Sequence, residues 1–147
     1  MTRSRERGVT LLELMAVVVI LGVLASIAIP SYRSYLLRAQ RTDATAALLQ
    51  IAAAQEKFYL QNNAYADQDH LDDPSPAGLG IPKTEHDYYT LGIVSDNLSL
   101  RFTATATQKD DGPQGKDKDC KTFTITQAGT RSATNQSDAD NTAACWR

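Results

Sequence analysis

Few residues of this sequence are of types that carry out chemistry. The 147 residues include two cysteines and two histidines. His86 has neither a cysteine nor a paired acid at the spacing of metal ligands, and no serine lies in the sequence context of a nucleophile elbow. We therefore expect no catalytic residue, no cofactor and no enzymatic activity.

The densest group of candidate metal ligands is an acidic run. It consists of Asp67, Asp69, His70, Asp72 and Asp73. The run does not fit the calcium loop of an EF-hand, because Leu71 occupies the third ligand position and the glycine of that loop is missing at Asp72. A solvated acidic loop is the favoured interpretation, a cation site is the alternative, and we predict no bound metal.

Two cysteines enclose a stretch with few large apolar side chains. Burial alone would not give the segment between Cys120 and Cys145 a fixed shape, whereas a disulfide would, in an oxidising compartment. Closing a loop of about 26 residues contributes roughly 3.5 kcal/mol in the chain-entropy model. Two unpaired thiols in a cytosolic protein are the alternative.

One carboxylate lies where a charge is costly. From Leu14 to Ile29 only Gly22 and Ser26 interrupt a run of apolar side chains, and Glu13 lies next to its start. As a helix, residues 9–29 would span roughly 31 Å, about the thickness of the hydrocarbon core of a bilayer. A carboxylate near the bilayer centre costs about 2.5 to 3.5 kcal/mol. The small residues around Ala28 would also allow a cleaved secretory signal. A signal that is removed does not explain why a costly carboxylate is present.

Cleavage after Gly8 would explain the carboxylate. The new amine of Val9 would lie four residues before Glu13, which is contact spacing on a helix. The amine and the carboxylate would then neutralise each other, within one chain or between neighbouring copies. A carboxylate that reaches back to the lipid headgroups is the alternative.

These residues carry a resemblance to a known family. Gly8-Val9-Thr10-Leu11-Leu12-Glu13, the apolar run with Gly22, and Ala28-Ile29-Pro30-Ser31-Tyr32 resemble the class III signal of type IV pilins and pseudopilins. The resemblance implies that residues 1–8 are a leader, which prepilin peptidase removes between Gly8 and Val9 before the new terminal residue is methylated. It implies that Glu13, with Thr10, serves subunit assembly. In pilins a C-terminal disulfide bounds a surface-exposed region, and the matching residues are Cys120 and Cys145.

A long helix is expected to position the N-terminal motif. Residues 31–63 contain no glycine or proline and are rich in helix formers, so we predict one helix over residues 9–61, with kinks at Gly22 and Pro30. Arg38, Arg41, Gln50 and Lys57 are predicted to face away from a sheet. The stripe predicted to lie on the sheet consists of Tyr35, Ala39, Ala46, Leu49, Ala53 and Leu60.

The rest of the chain is expected to form a sheet. Residues 64–87 are predicted to be a loop, and Tyr88–Ser95 and Leu98–Thr107 two strands joined by a tight turn at Asp96-Asn97. Lys109–Asp119 is predicted to be a solvated loop and Thr122–Thr126 a third strand, with a fourth within residues 128–147. The fold class is thus α+β, and the resemblance implies a pilin fold: a long N-terminal α-helix, half of it transmembrane, packed on an antiparallel sheet of about four strands, with a C-terminal region bounded by a disulfide.

We divide the chain into a class III leader (1–8), a transmembrane and filament-core helix (9–29) and a periplasmic globular domain (30–147). Charge does not set the orientation, because three arginines precede the apolar run (Arg3, Arg5, Arg7) and three follow it (Arg33, Arg38, Arg41). The cysteine pair and the resemblance place the N-terminus in the cytoplasm and the domain in the periplasm. The chain would be a single-pass inner-membrane protein before assembly and part of an extracellular pilus afterwards.

Four segments resemble a minor pilin of the PilE type: Gln40-Arg41-Thr42-Asp43-Ala44, Ala54-Gln55-Glu56-Lys57-Phe58-Tyr59, Asn63-Ala64-Tyr65 and Cys145-Trp146-Arg147. The resemblance implies a pilus subunit that primes assembly and supports twitching motility and adhesion. The implied partners are other pilin subunits in a helical filament, prepilin peptidase, the inner membrane and the pilus assembly machinery. A major pilin, a pseudopilin of type II secretion and a membrane-anchored binding module that does not polymerise are the alternatives.

Charge argues against direct binding of nucleic acid. Of 15 lysines and arginines, three precede Pro30, and of 17 acids, two do, so 12 basic and 15 acidic residues follow and give a net charge of −3. Affinity for DNA comes largely from clustered basic side chains that neutralise phosphates. We expect no direct nucleic-acid binding.

Overall fold

The computed structural model describes residues 10–147. The expected leader, with the cleavage and methylation positions Gly8 and Val9, lies outside the described residues. The elements in chain order are helix α1 (Leu11–Asn62), strands β1 (Tyr89–Val94) and β2 (Thr103–Gln108), a 3₁₀ turn (Pro113–Lys116), strands β3 (Thr122–Thr126) and β4 (Arg131–Thr134), and a single helical turn α2 (Thr142–Cys145). The chain forms two compact units, one ending at Leu36 and the other comprising Leu37–Arg147.

Helix α1 confirms the predicted long helix within the described residues. It contains Pro30, which is tolerated inside a helix when other contacts compensate for the missing N–H. The helix ends where Asn63 adopts a left-handed backbone conformation (φ 54°), which asparagine tolerates better than most residues, and its N–H donates to Tyr59 O at 2.8 Å. The kinks expected at Gly22 and Pro30 remain predictions.

The four strands form one antiparallel sheet in the order β1-β2-β3-β4. This confirms the expected sheet, including a fourth strand after residue 128, and β3 has the predicted bounds. Its inner face is apolar, and Tyr89 on β1 meets Phe123 on β3 edge to face at 5.7 Å. The outer face carries paired hydroxyls, because Thr105 lies opposite Thr124 and Thr107 opposite Thr122. Side chains along β1, β2 and β3 therefore alternate between the core and the solvent side of the sheet.

The connection between β1 and β2 differs from the predicted tight turn. Asp96-Asn97 does not join the strands directly, because β2 begins only at Thr103. Asn97 Oδ1 accepts a hydrogen bond from Ser99 N at 3.1 Å, and the backbone carbonyl of Asn97 accepts one from Leu100 N at 3.0 Å. Such local bonds compete with the sheet ladder for backbone groups. Leu100, which fits the strand alternation in sequence, is 64% exposed.

Helix α1 packs on the sheet through a different face from the predicted one. The predicted stripe is exposed, including Leu49 and Leu60, and Arg41, which was expected to face away, is buried. The buried residues of α1 are Arg41, Asp43, Ala44, Ala47, Leu48, Ile51 and Gln55. This part of α1 has two apolar faces. The sheet covers the face that carries Leu48 and Ile51, where small alanine side chains allow the helix to approach the sheet closely. Periodicity alone does not choose between two such faces.

The edge of β4 is covered by the C-terminal segment. Ala133 N donates to Thr142 Oγ1 at 2.8 Å, and Ala133 O accepts from Asn141 N at 2.9 Å. Trp146 Nε1 donates to Ser132 O at 2.8 Å. At the opposite edge, Ile93 N on β1 donates to Gln68 Oε1 at 2.7 Å. Side chains and loop backbone therefore satisfy backbone groups at both edges of the sheet.

Candidate functional site

The most unusual surface of the chain is the N-terminal part of α1. Thirteen large apolar side chains between Leu11 and Ile29 are 50–78% exposed. Fully burying such a side chain contributes about 1.5–3 kcal/mol, so covering this row would contribute on the order of 20 kcal/mol. By length and composition α1 is apolar enough to cross a membrane. This surface requires lipid or other apolar helices around it.

Thr10 and Glu13 form the N-terminal cap of α1. Thr10 Oγ1 accepts a hydrogen bond from Glu13 N at 3.2 Å. A threonine followed three residues later by a glutamate is the sequence signature of a capping box, and a carboxylate in the first turn also interacts favourably with the helix dipole. The T-x-x-E spacing of Thr10 and Glu13 is the sequence signal of this cap, beside the assembly role that the resemblance implies. The capping role exists beside the predicted assembly role of Glu13, and a test must separate the two.

Two serine hydroxyls of α1 are satisfied within the helix. Ser26 Oγ donates to Val23 O at 2.7 Å, and Ser34 Oγ donates to Pro30 O at 3.2 Å. Hydroxyls bonded in this way do not need water, which suits a helix in an apolar environment. They therefore do not oppose burial of this surface.

Gly22 has no packing role within the chain. A Cβ atom placed on it would meet no atom within 4 Å. Glycine inside a helix costs roughly 1 kcal/mol relative to alanine. Among the described residues no contact requires a glycine at this position.

Arg41 anchors α1 to the segment before the first cysteine. Its Nε donates to Asp117 Oδ2 at 2.7 Å and its Nη2 to Asp117 Oδ1 at 2.9 Å, in a two-pronged arrangement. Burial by itself would lower the pKa of Arg41, but the hydrogen bonds and negative charge of Asp117 outweigh it and raise that pKa. The Asp117 side chain is 2% exposed. Most of Lys109–Asp119 is exposed, as expected of a solvated loop, but the expectation is wrong at Gln114 and Asp117, which are buried. The helix supplies a partner for the Asp117 carboxylate.

The same loop is held by a buried amide. Gln114 Nε2 donates to Leu37 O at 3.0 Å and to Tyr89 Oη at 2.8 Å. Burial raises the pKa of Tyr89, although the hydrogen bond from Gln114 partly opposes the shift. The loop thereby connects α1 to β1. Sequence reasoning missed Arg41, Asp117 and Gln114, because nothing in their spacing distinguishes them from surface polar residues.

Two further side chains of α1 position the loop between α1 and β1. Asp43 accepts hydrogen bonds from His86 N at 3.1 Å and Tyr88 N at 3.4 Å, which fixes the start of β1. Gln55 binds both backbone groups of Ala66, each at 2.8 Å. His86 therefore lies beside an acid that sequence spacing did not reveal.

The acidic run forms a turn organised by its first member. Asp67 Oδ1 accepts from Asp69 N at 3.1 Å and lies 2.6 Å from His70 Nδ1. The hydrogen bond between the side chains of Asp67 and His70 lowers the pKa of Asp67 and raises the pKa of His70. In residues 10–147 no group of three His, Cys, Asp or Glu side chains is arranged to hold a metal ion. The arrangement supports a structured turn.

The two cysteines form a disulfide. The Cα atoms of Cys120 and Cys145 are 5.8 Å apart, and both residues are buried. Trp146 packs edge to face on Phe123 at 6.0 Å, with the Arg131 guanidinium 5.2 Å from the Trp146 ring. The disulfide and these aromatic contacts fix the C-terminal segment beside β4.

Two family models match the chain. The model of the type IV minor pilin ComP, a DNA uptake sequence receptor, matches residues 30–124. The model of the prokaryotic N-terminal methylation motif matches residues 3–29. Together they cover the apolar helix and most of the sheet.

Similar proteins point to the same family. The fimbrial protein EcpC of Eikenella corrodens is 30% identical over 76% of this chain and 69% of that protein. The type IV major pilin PilA of Myxococcus xanthus is 41% identical over 43% of this chain, and the match spans 29% of that protein. The match to the type II secretion system core protein G of Pectobacterium carotovorum, at 43% identity, spans 39% of that protein.

A solved structure shows the same fold. The non-core minor pilin PilV of Neisseria meningitidis has a TM-score of 0.52 and 19% identity, over 72% of this chain and 94% of that chain. The family models, EcpC and the fold all agree with the exposed apolar helix and its attached sheet. The chain therefore belongs to the type IV pilin family, and within it to the family of the minor pilin ComP.

Proposed function

We propose that the chain is a minor subunit of a type IV pilus that primes or enters the filament and supports its assembly, twitching motility and adhesion. Residues 1–8 serve as the leader, which prepilin peptidase removes between Gly8 and Val9. Residues 9–29 hold the chain in the inner membrane, with residues 30–147 in the periplasm, until the pilus machinery moves it into the extracellular filament. The exposed apolar row on α1 carries the proposal.

The proposed assembly step transfers α1 from one apolar environment to another. Lipid covers the row before assembly, and the helices of other pilin subunits cover it in the filament, so the hydrophobic contribution is kept. The charge of Glu13 then distinguishes the two environments. In lipid it lacks a partner on another chain, whereas in the filament the amine of Val9 on a neighbouring copy neutralises it.

Two alternatives within the same family are a major pilin and a pseudopilin. The matches to PilA and to core protein G cover 63 and 61 residues, which is less than half of this chain in each case. The match to the minor pilin model extends from Pro30 to Thr124, so it includes the domain that differs between subunits. A major pilin, PilE of Neisseria gonorrhoeae, also matches 76% of this chain at 28% identity. The description of the family model, and not the extent of its match, therefore favours a minor pilin. The disulfide between Cys120 and Cys145 favours a pilus over a secretion pseudopilin.

DNA binding is a second candidate function, because the matching model is that of a DNA uptake sequence receptor. The segment 109–121 has the densest lysines, but four aspartates accompany its four lysines, which leaves no net charge. Neutralising DNA phosphates requires an excess of basic side chains. We therefore favour a filament role without direct DNA binding. A gel shift of a DNA duplex by the full chain at physiological salt would support the receptor role.

Sheared filaments test the proposal. In cells that express the chain, it is expected in the sheared pilus fraction as a small share of total pilin. Deleting it should reduce filament number and twitching. Glu13→Ala should remain in the membrane fraction. A dominant band in sheared pili would identify a major pilin. Loss of secretion with normal pili would identify a pseudopilin, and indifference to Glu13→Ala a module that does not polymerise.

A further inference from the structure

One guanidinium contacts the residue that precedes each cysteine of the disulfide. Arg41 Nη2 lies 3.4 Å from Asp119 Oδ2, and Asp119 precedes Cys120. Arg41 Nη1 lies 3.5 Å from Ala144 O, and Ala144 precedes Cys145. The two cysteines are 25 positions apart in sequence. A single side chain of α1 therefore touches both segments that the disulfide joins.

Further hydrogen bonds make this arrangement well defined. The Asp117 carboxylate accepts hydrogen bonds from both Nε and Nη2 of Arg41. Its Oδ1 also accepts one from Asp119 N at 3.1 Å, which fixes the turn that leads to Cys120. Asn141 Nδ2 donates to Asp119 O at 3.0 Å, which connects the same turn to the start of α2. The Arg41 side chain is 10% exposed. Water therefore competes little for the bonds between Arg41 and Asp117.

We propose that Arg41 is a positioning residue for disulfide formation, which brings Cys120 and Cys145 together before they are oxidised. Bringing two distant thiols together costs loop-closure entropy. Helix α1 forms through local contacts, so it can present Arg41 before the 25-residue loop is closed. The ion pairs with Asp117 and Asp119 hold the segment before Cys120, and the hydrogen bond to Ala144 O holds the segment before Cys145. The reduced thiols are then near each other, and oxidation follows docking of both segments on the helix.

The oxidation itself is thiol–disulfide exchange with an external disulfide, either a small molecule or an oxidoreductase. The thiolate of one cysteine attacks the external disulfide, forms a mixed disulfide and releases one thiol. The thiolate of the second cysteine attacks the mixed disulfide and releases the other thiol. The two cysteines lose two protons and two electrons, and the external disulfide gains both. Arg41 takes no part in this exchange beyond holding the reactants close.

The test uses the full chain, reduced in detergent micelles and then equilibrated in buffers of defined reduced and oxidised glutathione. Acid quenching, alkylation and mass measurement give the oxidised fraction, from which the effective concentration of one thiol at the other follows. Arg41→Gln should lower the effective concentration by roughly tenfold or more, because it removes charge-assisted bonds to both segments. Arg41→Lys, which keeps the charge but loses the two-pronged geometry, should give an intermediate value.

The matched control is Gln55→Ala on the same helix. It removes two buried hydrogen bonds, both to Ala66 and neither to the disulfide segments. A general loss of stability would affect the control and Arg41→Gln alike, whereas the proposal predicts a change of less than about twofold in the control. Equal changes in both variants would overturn the proposal, as would an unchanged effective concentration in Arg41→Gln.

A milder variant covers the case that Arg41→Gln does not fold, which far-UV circular dichroism would show. Asp119 is 73% exposed, so Asp119→Asn keeps the buried pair with Asp117 and weakens only the contact nearest Cys120. It should lower the effective concentration in the same direction by a smaller factor. An unchanged value in Asp119→Asn together with an unfolded Arg41→Gln would overturn the proposal. The measurement does not require filament assembly, so it is independent of the proposed function.

Discussion

The substitution Glu13→Gln separates the charge of Glu13 from its place in the helix cap. Glutamine is accepted at the third position of a capping box, so the helix start, where Thr10 Oγ1 binds the N–H of residue 13, is expected to survive. Only the negative charge is lost. The variant therefore tests whether the charge drives assembly.

The expected magnitude follows from the cost of a lone charge in lipid. A carboxylate at the bilayer centre costs about 2.5–3.5 kcal/mol, and less toward the interface. Under our proposal that cost disappears in the filament, where the amine of Val9 neutralises Glu13. About 1.4 kcal/mol corresponds to a factor of ten. Glu13→Gln should therefore raise the ratio of membrane-bound to filament-bound chain by at most about a hundredfold.

The assay is quantitative immunoblotting of sheared filaments and membranes from cells whose only copy carries the substitution. Thr10→Ala is the matched control, since it weakens the cap by about 1 kcal/mol and keeps the charge. The mass of the N-terminal peptide shows whether cleavage after Gly8 and methylation of Val9 still occur. If Glu13→Gln enters filaments as the wild type does, the charge argument is wrong, and failure of Thr10→Ala would then assign the effect to Thr10 rather than to the charge of Glu13.

Three further predictions concern the helix, the disulfide and the acidic turn. Gly22→Ala should increase the helix content that the chain retains in micelles during heating, since alanine stabilises a helix by roughly 1 kcal/mol relative to glycine. It should also lower the yield of sheared filaments, and a normal yield would argue against a bending or packing role of Gly22. Replacing both Cys120 and Cys145 by serine should lower the free energy of unfolding by roughly 3.5 kcal/mol in denaturant titration, and a loss below about 1 kcal/mol would contradict the loop-closure argument. The contact of His70 with Asp67 should stabilise the chain most between about pH 4 and pH 6.5, because the pKa of Asp67 is lowered and that of His70 raised. The stability difference between the wild type and Asp67→Asn should therefore shrink as the pH rises beyond the pKa of His70, and a difference that grows above pH 7 would contradict it.

Local sequence signals predicted the long helix, the third strand and the paired cysteines. Helix formers without glycine or proline determine α1 after Pro30, and alternation of threonine with Phe123 and Ile125 determines β3. Such signals depend on neighbours in sequence. They were sufficient for the fold class and for the membrane-length apolar segment.

Contacts between distant residues were not predictable in the same way. The pairing of Arg41 with Asp117 joins positions 76 apart, and either residue in isolation has the sequence character of a surface charge. The buried face of α1 was also missed, because both faces of that helix are apolar and the choice depends on the shape of the sheet. The turn after β1 was mistaken for a strand because Leu100 continues the alternation while the side chain of Asn97 bends the backbone.

The covered edges of the sheet affect how copies of this chain can associate. An open strand edge is a template for amyloid-like stacking, which would compete with orderly growth wherever many copies are concentrated. Thr142, Asn141 and Trp146 occupy the hydrogen-bonding groups of β4 that such stacking would use. Opening this C-terminal strap would therefore expose a second, competing mode of aggregation. Under the proposed function, this strap would keep that route closed while many copies lie side by side in the membrane.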